Sequence, residues 1–259
     1  MASFPTEPSV HRFTGRDGVA LAWRELGDGR PVVLIHGLFS NAETNWIRYG
    51  HAARIAAAGF RVVMPDLRAH GMSGAPHDPA AYPPDILADD GFALLAALGF
   101  EDGAYDLGGY SLGGRTVVRM LARGARPRRA IVAGMGLQGL LDTAARSGHF
   151  RRVLEGLGTH PRGSPEYLAE AFLKTTGADP AALLPLLGCF VDTPPAALAG
   201  IATPTLVACG VDDADNGSAE ALAAALGDGR YVAVPGNHMS AVVKPELGAA
   251  MADFLAASV

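Results

Sequence analysis

Gly109-Tyr110-Ser111-Leu112-Gly113 follows the pattern G-x-S-x-G and lies between two segments of different character. Residues 104–107 before it are typical of a short strand, and residues 116–121 after it are typical of the body of a helix. A serine at a sharp turn from strand to helix projects its hydroxyl out of the backbone, and small neighbours leave room for the strained turn. The N-terminus of the following helix stabilises negative charge that develops nearby. The stretch therefore predicts an α/β unit with Ser111 as a nucleophile.

Strand-like and helix-like segments alternate outward from this turn in both directions. The continuous apolar run at residues 31–35 is typical of a strand buried on both faces of a sheet. Repeated β-α units favour a mostly parallel sheet with helices on both faces, so we predict an α/β fold with an eight-stranded sheet. The predicted strands are residues 11–14, 19–25, 31–35, 61–64, 104–107, 129–133, 205–209 and 231–234, and the other predicted helices are 46–58, 85–98, 218–226 and 245–257.

The alternation stops between residues 138 and 200. Six prolines divide this segment into short helix-like pieces, and no clear strand is present in its sequence. We therefore predict a helical cap insertion at 138–200, carried by a core that consists of residues 1–137 and 201–259. Ligands of such sheets bind beyond the carboxyl ends of the strands, which is where Ser111 is expected.

Composition limits the class of protein. The chain has 259 residues, of which 49% are hydrophobic, enough for one sizeable core. The net charge is −5 and the basic residues form no run, so neither nucleic acid nor a membrane surface is expected as a partner. Residues 1–10 lack the features of a signal peptide, and no apolar stretch of about 18 residues is present. We expect a cytoplasmic protein, and the sequence predicts no oligomeric state.

A serine nucleophile needs a general base, and the base needs an orienting carboxylate. His238 follows the predicted strand at 231–234 and a short turn, so its ring can reach the end of the sheet. The carboxylate is expected after the strand at 205–209, where Asp212, Asp213 and Asp215 are all available. The order serine, acid, histidine along the chain is the order that this kind of turn predicts.

An oxyanion intermediate needs two backbone N–H donors that are already in place. One is expected from Leu112, directly after the serine. The second is expected from the loop after residues 31–35, with Leu38 as the first choice and Phe39 as the alternate. His36, at the start of this loop, is interpreted as a brace for the loop rather than as a reacting group.

Five ordered motifs resemble the α/β-hydrolase fold superfamily, in particular its compact bacterial serine esterases with a short helical cap. They are His36-Gly37-Leu38-Phe39, residues 65–73, Gly109 to Gly113, Gly210 to Asp213, and Gly236-Asn237-His238. The resemblance covers nearly the whole chain and implies Ser111, Asp213 and His238 as nucleophile, acid and base, with Asp212 as the alternative acid. The family usually has D-x-R-G-H-G-x-S where this chain has Asp66 to Ser73, and Ala69 stands in place of the first glycine. This segment has a structural role in the family, and the resemblance implies the same role for His70.

No cofactor and no metal are predicted. Gly134 to Gly139 fits G-x-G-x-x-G, but it leads into the proline-rich segment and not into a β-α-β unit, so a dinucleotide site is not expected. The sequence has no H-E-x-x-H motif and no paired cysteines with metal-ligand spacing. The aspartates at 212, 213 and 215 lack the rest of a calcium loop. Cys209 is expected to be a buried core thiol.

The resemblance implies hydrolysis of small to medium carboxylic esters, with a small ester-like molecule as the partner. The same fold supports other reactions, so hydrolysis of a lactone, thioester, amide or carbon-carbon bond, a lyase reaction on the same triad, and a non-catalytic ligand receptor all remain open. Haloalkane dehalogenation is disfavoured because that chemistry places an aspartate where this chain has Ser111.

Overall fold

The computed structural model describes residues 8–257 and contains one eight-stranded sheet. The interpretation of residues 1–10 as lacking a signal peptide falls mostly outside the described residues. The strands are β1 (Ser9–Thr14), β2 (Ala20–Leu26), β3 (Arg30–Ile35), β4 (Phe60–Asp66), β5 (Asp106–Tyr110), β6 (Ala130–Ala133), β7 (Thr205–Gly210) and β8 (Gly229–Val234).

The strand order across the sheet is β1-β2-β4-β3-β5-β6-β7-β8. Two of the seven pairings, β1 with β2 and β2 with β4, are antiparallel, and the other five are parallel. The predicted α/β fold with a mostly parallel eight-stranded sheet is confirmed. The serine strand β5 lies between β3 and β6, so its carboxyl end is at the middle of the sheet edge.

Strand β5 runs from Asp106 to Tyr110, whereas the sequence predicted residues 104–107. Gly108 and Gly109 extend the strand because they pair with β3 and β6, and their neighbours leave no space for a side chain. A Cβ at Gly109 would lie 2.3 Å from the carbonyl carbon of Gly113. The strand therefore continues directly into Ser111, and the glycines that weaken a strand pattern in the sequence are required here by close packing.

Helices cover both faces of the sheet. They are α1 (His51–Ala57), α2 (Ile86–Ala97), α3 (Leu112–Ala122), α4 (Leu137–Leu141), α5 (Thr143–Glu155), α6 (Pro165–Thr176), α7 (Pro180–Leu186), α8 (Pro195–Ala199), α9 (Ala219–Ala225), α10 (His238–Ala241) and α11 (Pro245–Ala256), with single turns at Glu43–Ile47, Pro79–Ala81 and Leu187–Cys189. None of the helices within residues 8–257 is long and apolar enough to cross a bilayer.

The predicted helix at 46–58 is wrong in its first half. A π-helical turn spans Glu43–Ile47, and Gly50, with φ 77°, separates it from α1. The left-handed backbone at Gly50 cannot continue a right-handed helix. Trp46 and His51 on either side of the break are both buried.

Residues 138–200 form helices and turns without a strand, as the proline pattern indicates. Among the contacts that join this segment to the core, the ring of Phe150 packs edge-on against Phe39 at 5.3 Å, and Arg146 forms an ion pair of 2.8 Å with Asp215. Both partners lie in loops at the carboxyl ends of strands. The assignment of this segment as a cap with a functional role stays a prediction.

Candidate active site

Ser111 lies at the turn between β5 and α3 in a strained backbone conformation. Its φ of 54° and ψ of −113° lie outside the regions that an L-residue normally occupies. The backbone N–H of Ser111 donates to the carbonyl of Ala133 at 2.8 Å, which fixes the turn against β6. A Cβ on Gly113 would lie 2.0 Å from the carbonyl oxygen of Ile35, so only glycine allows α3 to approach β3 this closely. The strain at Ser111 is thus held by its surroundings.

His238 connects Ser111 to a carboxylate. Its Nε2 lies 3.0 Å from the Oγ of Ser111, and its Nδ1 lies 2.8 Å from the Oδ2 of Asp213. His238 is the first residue of α10, whose N-terminus is capped by Asn237, and its carbonyl accepts a hydrogen bond of 2.5 Å from the hydroxyl of Tyr110. The ring is therefore positioned by the local helix and by the strand that carries the serine.

Asp213, not Asp212, is the carboxylate in contact with His238. The side chain of Asp213 is 1% exposed and also accepts a hydrogen bond from the Asp215 N–H at 3.1 Å and one from the thiol of Cys209 at 3.3 Å. Burial acts to raise the pKa of Asp213, but the hydrogen bond and charge of His238 outweigh it and hold that pKa below its usual value. Asp212 is exposed, and Asp215 pairs with Arg146.

The two predicted oxyanion donors are unengaged. Neither the Leu38 N–H nor the Leu112 N–H donates a hydrogen bond to any group in residues 8–257. The alternate donor, the Phe39 N–H, already donates to Nε2 of His70 at 3.2 Å. The loop lies directly beside the serine, since a Cβ on Gly37 would be 3.4 Å from the Cβ of Ser111. The arrangement leaves two N–H groups at the place where negative charge would develop on an attacked carbonyl oxygen.

Two buried histidines hold this loop. His36 donates from Nδ1 to the Gly37 carbonyl at 2.8 Å and accepts the Leu67 N–H at Nε2 at 2.9 Å, and His70 bonds in the same way to Arg68 and Phe39. Burial lowers the pKa of His36 to about 4, and burial together with the neighbouring His36 lowers the pKa of His70 to about 3. Both rings are therefore neutral at pH 7 and serve as fixed hydrogen-bonding braces.

Ala69 adopts a φ of 65°, in the left-handed region that favours glycine. This conformation explains why the family pattern has glycine at the position. The neighbouring Asp66 accepts the N–H groups of Ala42 and Met72 at 2.8 and 2.9 Å, so the end of β4 ties the loop after β3 to the loop that follows β4.

Sequence reasoning missed several supporting contacts. Asn45 accepts the Gly37 N–H at 3.1 Å, Tyr110 tethers the His238 carbonyl, and the Cys209 thiol reaches Asp213. Tyr110 and His238 are far apart in the chain, whereas Asn45 and Gly37 are eight residues apart and Cys209 and Asp213 four, so that the local loop geometry decides those two contacts. No spacing rule in one sequence reveals such pairs, although the position of Tyr110 beside Ser111 is a signal for closer inspection.

Ligand atoms of Asp213, Asp215 and His238 lie within 4.8 Å of one another, close enough to consider a cation. The Nδ1 of His238 and a carboxylate oxygen of Asp213 already form a hydrogen bond with each other. Asp215 is also engaged by Arg146. The donor set is therefore explained by proton chemistry between histidine and carboxylate.

Comparisons with known proteins identify the family of this chain. Residues 32–250 match the sequence profile of the alpha/beta hydrolase family. A non-heme chloroperoxidase from Kitasatospora aureofaciens is 36% identical over 110 residues, which are 42% of this chain and 38% of that protein. The chain thus matches this relative over less than half of that protein's length.

Similar solved structures cover nearly all of this chain. A hydrolase from Pseudomonas aeruginosa PA01 has a TM-score of 0.78 at 25% identity, over 96% of this chain and 98% of that one. A thermophilic esterase from Thermogutta terrifontis has a TM-score of 0.75 at 24% identity, over 95% and 98%. The family profile covers well over half of the chain, and the protein therefore belongs to the alpha/beta hydrolase family.

Proposed function

We propose that this protein hydrolyses small to medium carboxylic esters through an acyl-enzyme on Ser111. The observation that carries the proposal is the continuous hydrogen-bonded series from Ser111 Oγ through His238 to Asp213, next to two unengaged backbone N–H groups. A nucleophile, a base, an orienting acid and an oxyanion site are the complete requirements of acyl transfer by serine.

In the first half-reaction, Nε2 of His238 takes the hydroxyl proton as Ser111 Oγ forms a bond to the ester carbonyl carbon. The carbonyl electron pair moves to oxygen, and the N–H groups of Leu38 and Leu112 stabilise the resulting oxyanion. The electron pair on the oxyanion then re-forms the carbonyl, the bond to the alkoxy group breaks, and the alcohol leaves with the proton from His238. Asp213, ionised because its pKa is low, stabilises the positive charge on the ring meanwhile.

In the second half-reaction, His238 takes a proton from water as the water oxygen attacks the acyl-enzyme carbonyl. The same two N–H groups hold the oxyanion. Ser111 Oγ leaves and recovers its proton from His238, which releases the carboxylic acid and restores the starting state. The two steps balance without a cofactor.

Apolar residues lie next to Ser111 in the chain and in the loops after β3 and β6. Phe39, Tyr110, Leu112 and Met135 are each at least 95% buried, and Leu38 is partly buried. An apolar surrounding suits a short acyl chain, and this, together with the size of the helical segment at 138–200, supports small to medium substrates.

The direct test is hydrolysis of p-nitrophenyl esters from acetate to laurate by the protein and by its Ser111→Ala variant. We expect turnover with the wild type, fastest on the shorter esters, and a loss of about 10³-fold or more in kcat in the variant at an unchanged unfolding midpoint. Equal turnover by both proteins would overturn the proposal. No turnover by a folded wild type would favour another bond, a lyase reaction or ligand binding without catalysis.

A further inference from the structure

Arg115 is a buried cation that has no hydrogen-bond or ion-pair partner for its side chain among residues 8–257. It lies in α3 one helical turn after Ser111 and is 5% exposed. Its Nε and Nη1 are enclosed, yet no part of the chain in residues 8–257 accepts a hydrogen bond from them, and the guanidinium forms no ion pair there. A buried charge that lacks a partner costs stability. Because Arg115 lies near a candidate active site, we infer that an anionic group of a bound ligand pairs with it.

The nearby acidic side chains are already engaged elsewhere. Asp85 lines the same small cleft as Arg115 but is paired with Arg119. Asp192 accepts the Thr143 N–H at 2.8 Å. Both of these carboxylates therefore already have other partners.

A second cation adds to the positive potential around Arg115. Arg146 on α5 acts with burial to lower the pKa of Arg115 to about 10, and its own ion pair with Asp215 lies towards the solvent. The guanidinium of Arg115 is held in place by the ring of Phe190, whose centroid is 5.1 Å from Cζ. The site is positive, partly enclosed and fixed in geometry, as an anion site needs to be.

One residue of the candidate active site lines the same cleft as Arg115. Leu112, whose N–H is a proposed oxyanion donor, lines it together with Arg115, Cys189 and Phe190. Arg115 is also close to the nucleophile along the chain, since its backbone N–H donates to the carbonyl of Ser111 at 2.9 Å. An anionic group on Arg115 would therefore belong to the same short molecule whose carbonyl lies at Ser111.

We propose that Arg115 binds a carboxylate carried by the substrate, so that the natural substrates are short esters with a free carboxylate a few bonds from the scissile carbonyl. The planar guanidinium can donate two parallel hydrogen bonds to a carboxylate, a geometry that a lysine does not offer. This proposal rests on the proposed ester hydrolysis. It assigns Arg115 to specificity and leaves the two half-reactions unchanged.

Matched anionic and neutral esters test the proposal. The monomethyl esters of succinate, glutarate and adipate carry the carboxylate on the acyl side, and the dimethyl esters are their neutral references. On the alcohol side, 4-acetoxybutanoate carries the carboxylate and butyl acetate is its neutral reference. The quantity measured is the ratio of kcat/KM for the anionic ester to kcat/KM for the neutral one. We expect Arg115→Met to lower this ratio by about tenfold or more on the favoured side, and Arg115→Lys to lower it less.

Arg152→Met is the charge control, because it removes one positive charge from an exposed position on α5. Its ratio is expected to equal that of the wild type. The proposal would be overturned if the ratio in Arg115→Met stayed equal to that of the wild type for both the acyl-side and the alcohol-side esters. An equal fall in the ratio for Arg152→Met would also overturn it, since that would indicate a general charge effect.

Thermal unfolding with added succinate, glutarate or adipate separates this inference from the ester reaction. We expect these dicarboxylates to raise the Tm of the wild type and of Arg152→Met, compared with chloride at equal ionic strength, but not that of Arg115→Met. If no ester is hydrolysed but this shift is seen, the anion site stands and the ester reaction falls. If neutral esters are hydrolysed while the shift and the ratio effect are both absent, the anion site falls and the ester reaction stands.

Discussion

At the scale of single residues, the site depends on one choice among adjacent aspartates. Asp213 is buried against His238 and Cys209, whereas Asp212, one residue earlier, faces solvent. Three aspartates in four positions look alike in the sequence. They differ only in the direction in which the loop after β7 points each side chain.

We expect Asp213→Asn to lower kcat for esters by about 10⁴-fold, because the amide no longer holds His238 in the required tautomer or stabilises its charge. Asp212→Asn is the matched control and is expected to stay within about twofold of the wild type, since an exposed charge contributes little. Steady-state kinetics on one p-nitrophenyl ester measure both. The opposite ranking of the two variants would contradict the assignment of the acid.

At the scale of elements, the junction of β3, β5 and α3 is built on glycines. This junction could be predicted because a strand, a short glycine-rich turn and a helix leave a strong local signal in the sequence. The predicted bounds of β5 were wrong by two residues at its start and three at its end, because Gly108 and Gly109 look like part of the turn, while in the structure they pair with β3 and β6. Packing between elements, which one sequence does not display, overrides local propensity here.

Gly113→Ala is expected to destabilise the protein by about 3 kcal/mol or more, because the added methyl group would lie 2.0 Å from the Ile35 carbonyl oxygen. Gly148→Ala is the matched control within α5. A Cβ there meets only the end of the Arg152 side chain, at 3.8 Å. Gly148→Ala is expected to stabilise the protein by about 0.5–1 kcal/mol, because alanine has the higher helix propensity. Chemical unfolding measures both, and a Gly113→Ala variant as stable as wild type would refute the close approach of α3 to β3.

At the scale of the whole molecule, the stability of the fold is coupled to pH through the two buried histidines. The pKa values of His36 and His70 are about 4 and about 3 in the folded protein, compared with 6.5 for an ordinary histidine. Between pH 6.5 and about 4 the unfolded chain therefore binds more protons than the folded one. The free energy of unfolding is then expected to fall as the pH is lowered, by up to about 1.4 kcal/mol per pH unit for each histidine.

Urea unfolding at several pH values between 7 and 4 measures this dependence. A His70→Gln variant has one such group fewer, so its free energy of unfolding is expected to depend less steeply on pH, whatever its absolute value. An identical slope in the variant and the wild type would show that His70 is not held neutral in the fold.

Most of the architecture and the central residues could be predicted from the sequence, because ordered local motifs mark the ends of the strands. The strand count, the fold class and the positions of Ser111 and His238 all follow from such signals. The unpaired state of Arg115 could not be predicted. It depends on where Asp85 and Asp192 direct their carboxylates, and those contacts join distant parts of the chain.

The activated state of Ser111 underlies the whole proposal, and a fluorophosphonate probe followed by peptide mass spectrometry tests it most directly. Such a probe phosphonylates a serine whose hydroxyl is deprotonated by a neighbouring base and whose oxyanion is stabilised. We expect one adduct per chain, located on Ser111, and no adduct in Ser111→Ala or in the folded His238→Ala variant. A folded wild-type protein that forms no adduct, or forms one on another residue, would contradict the assignment.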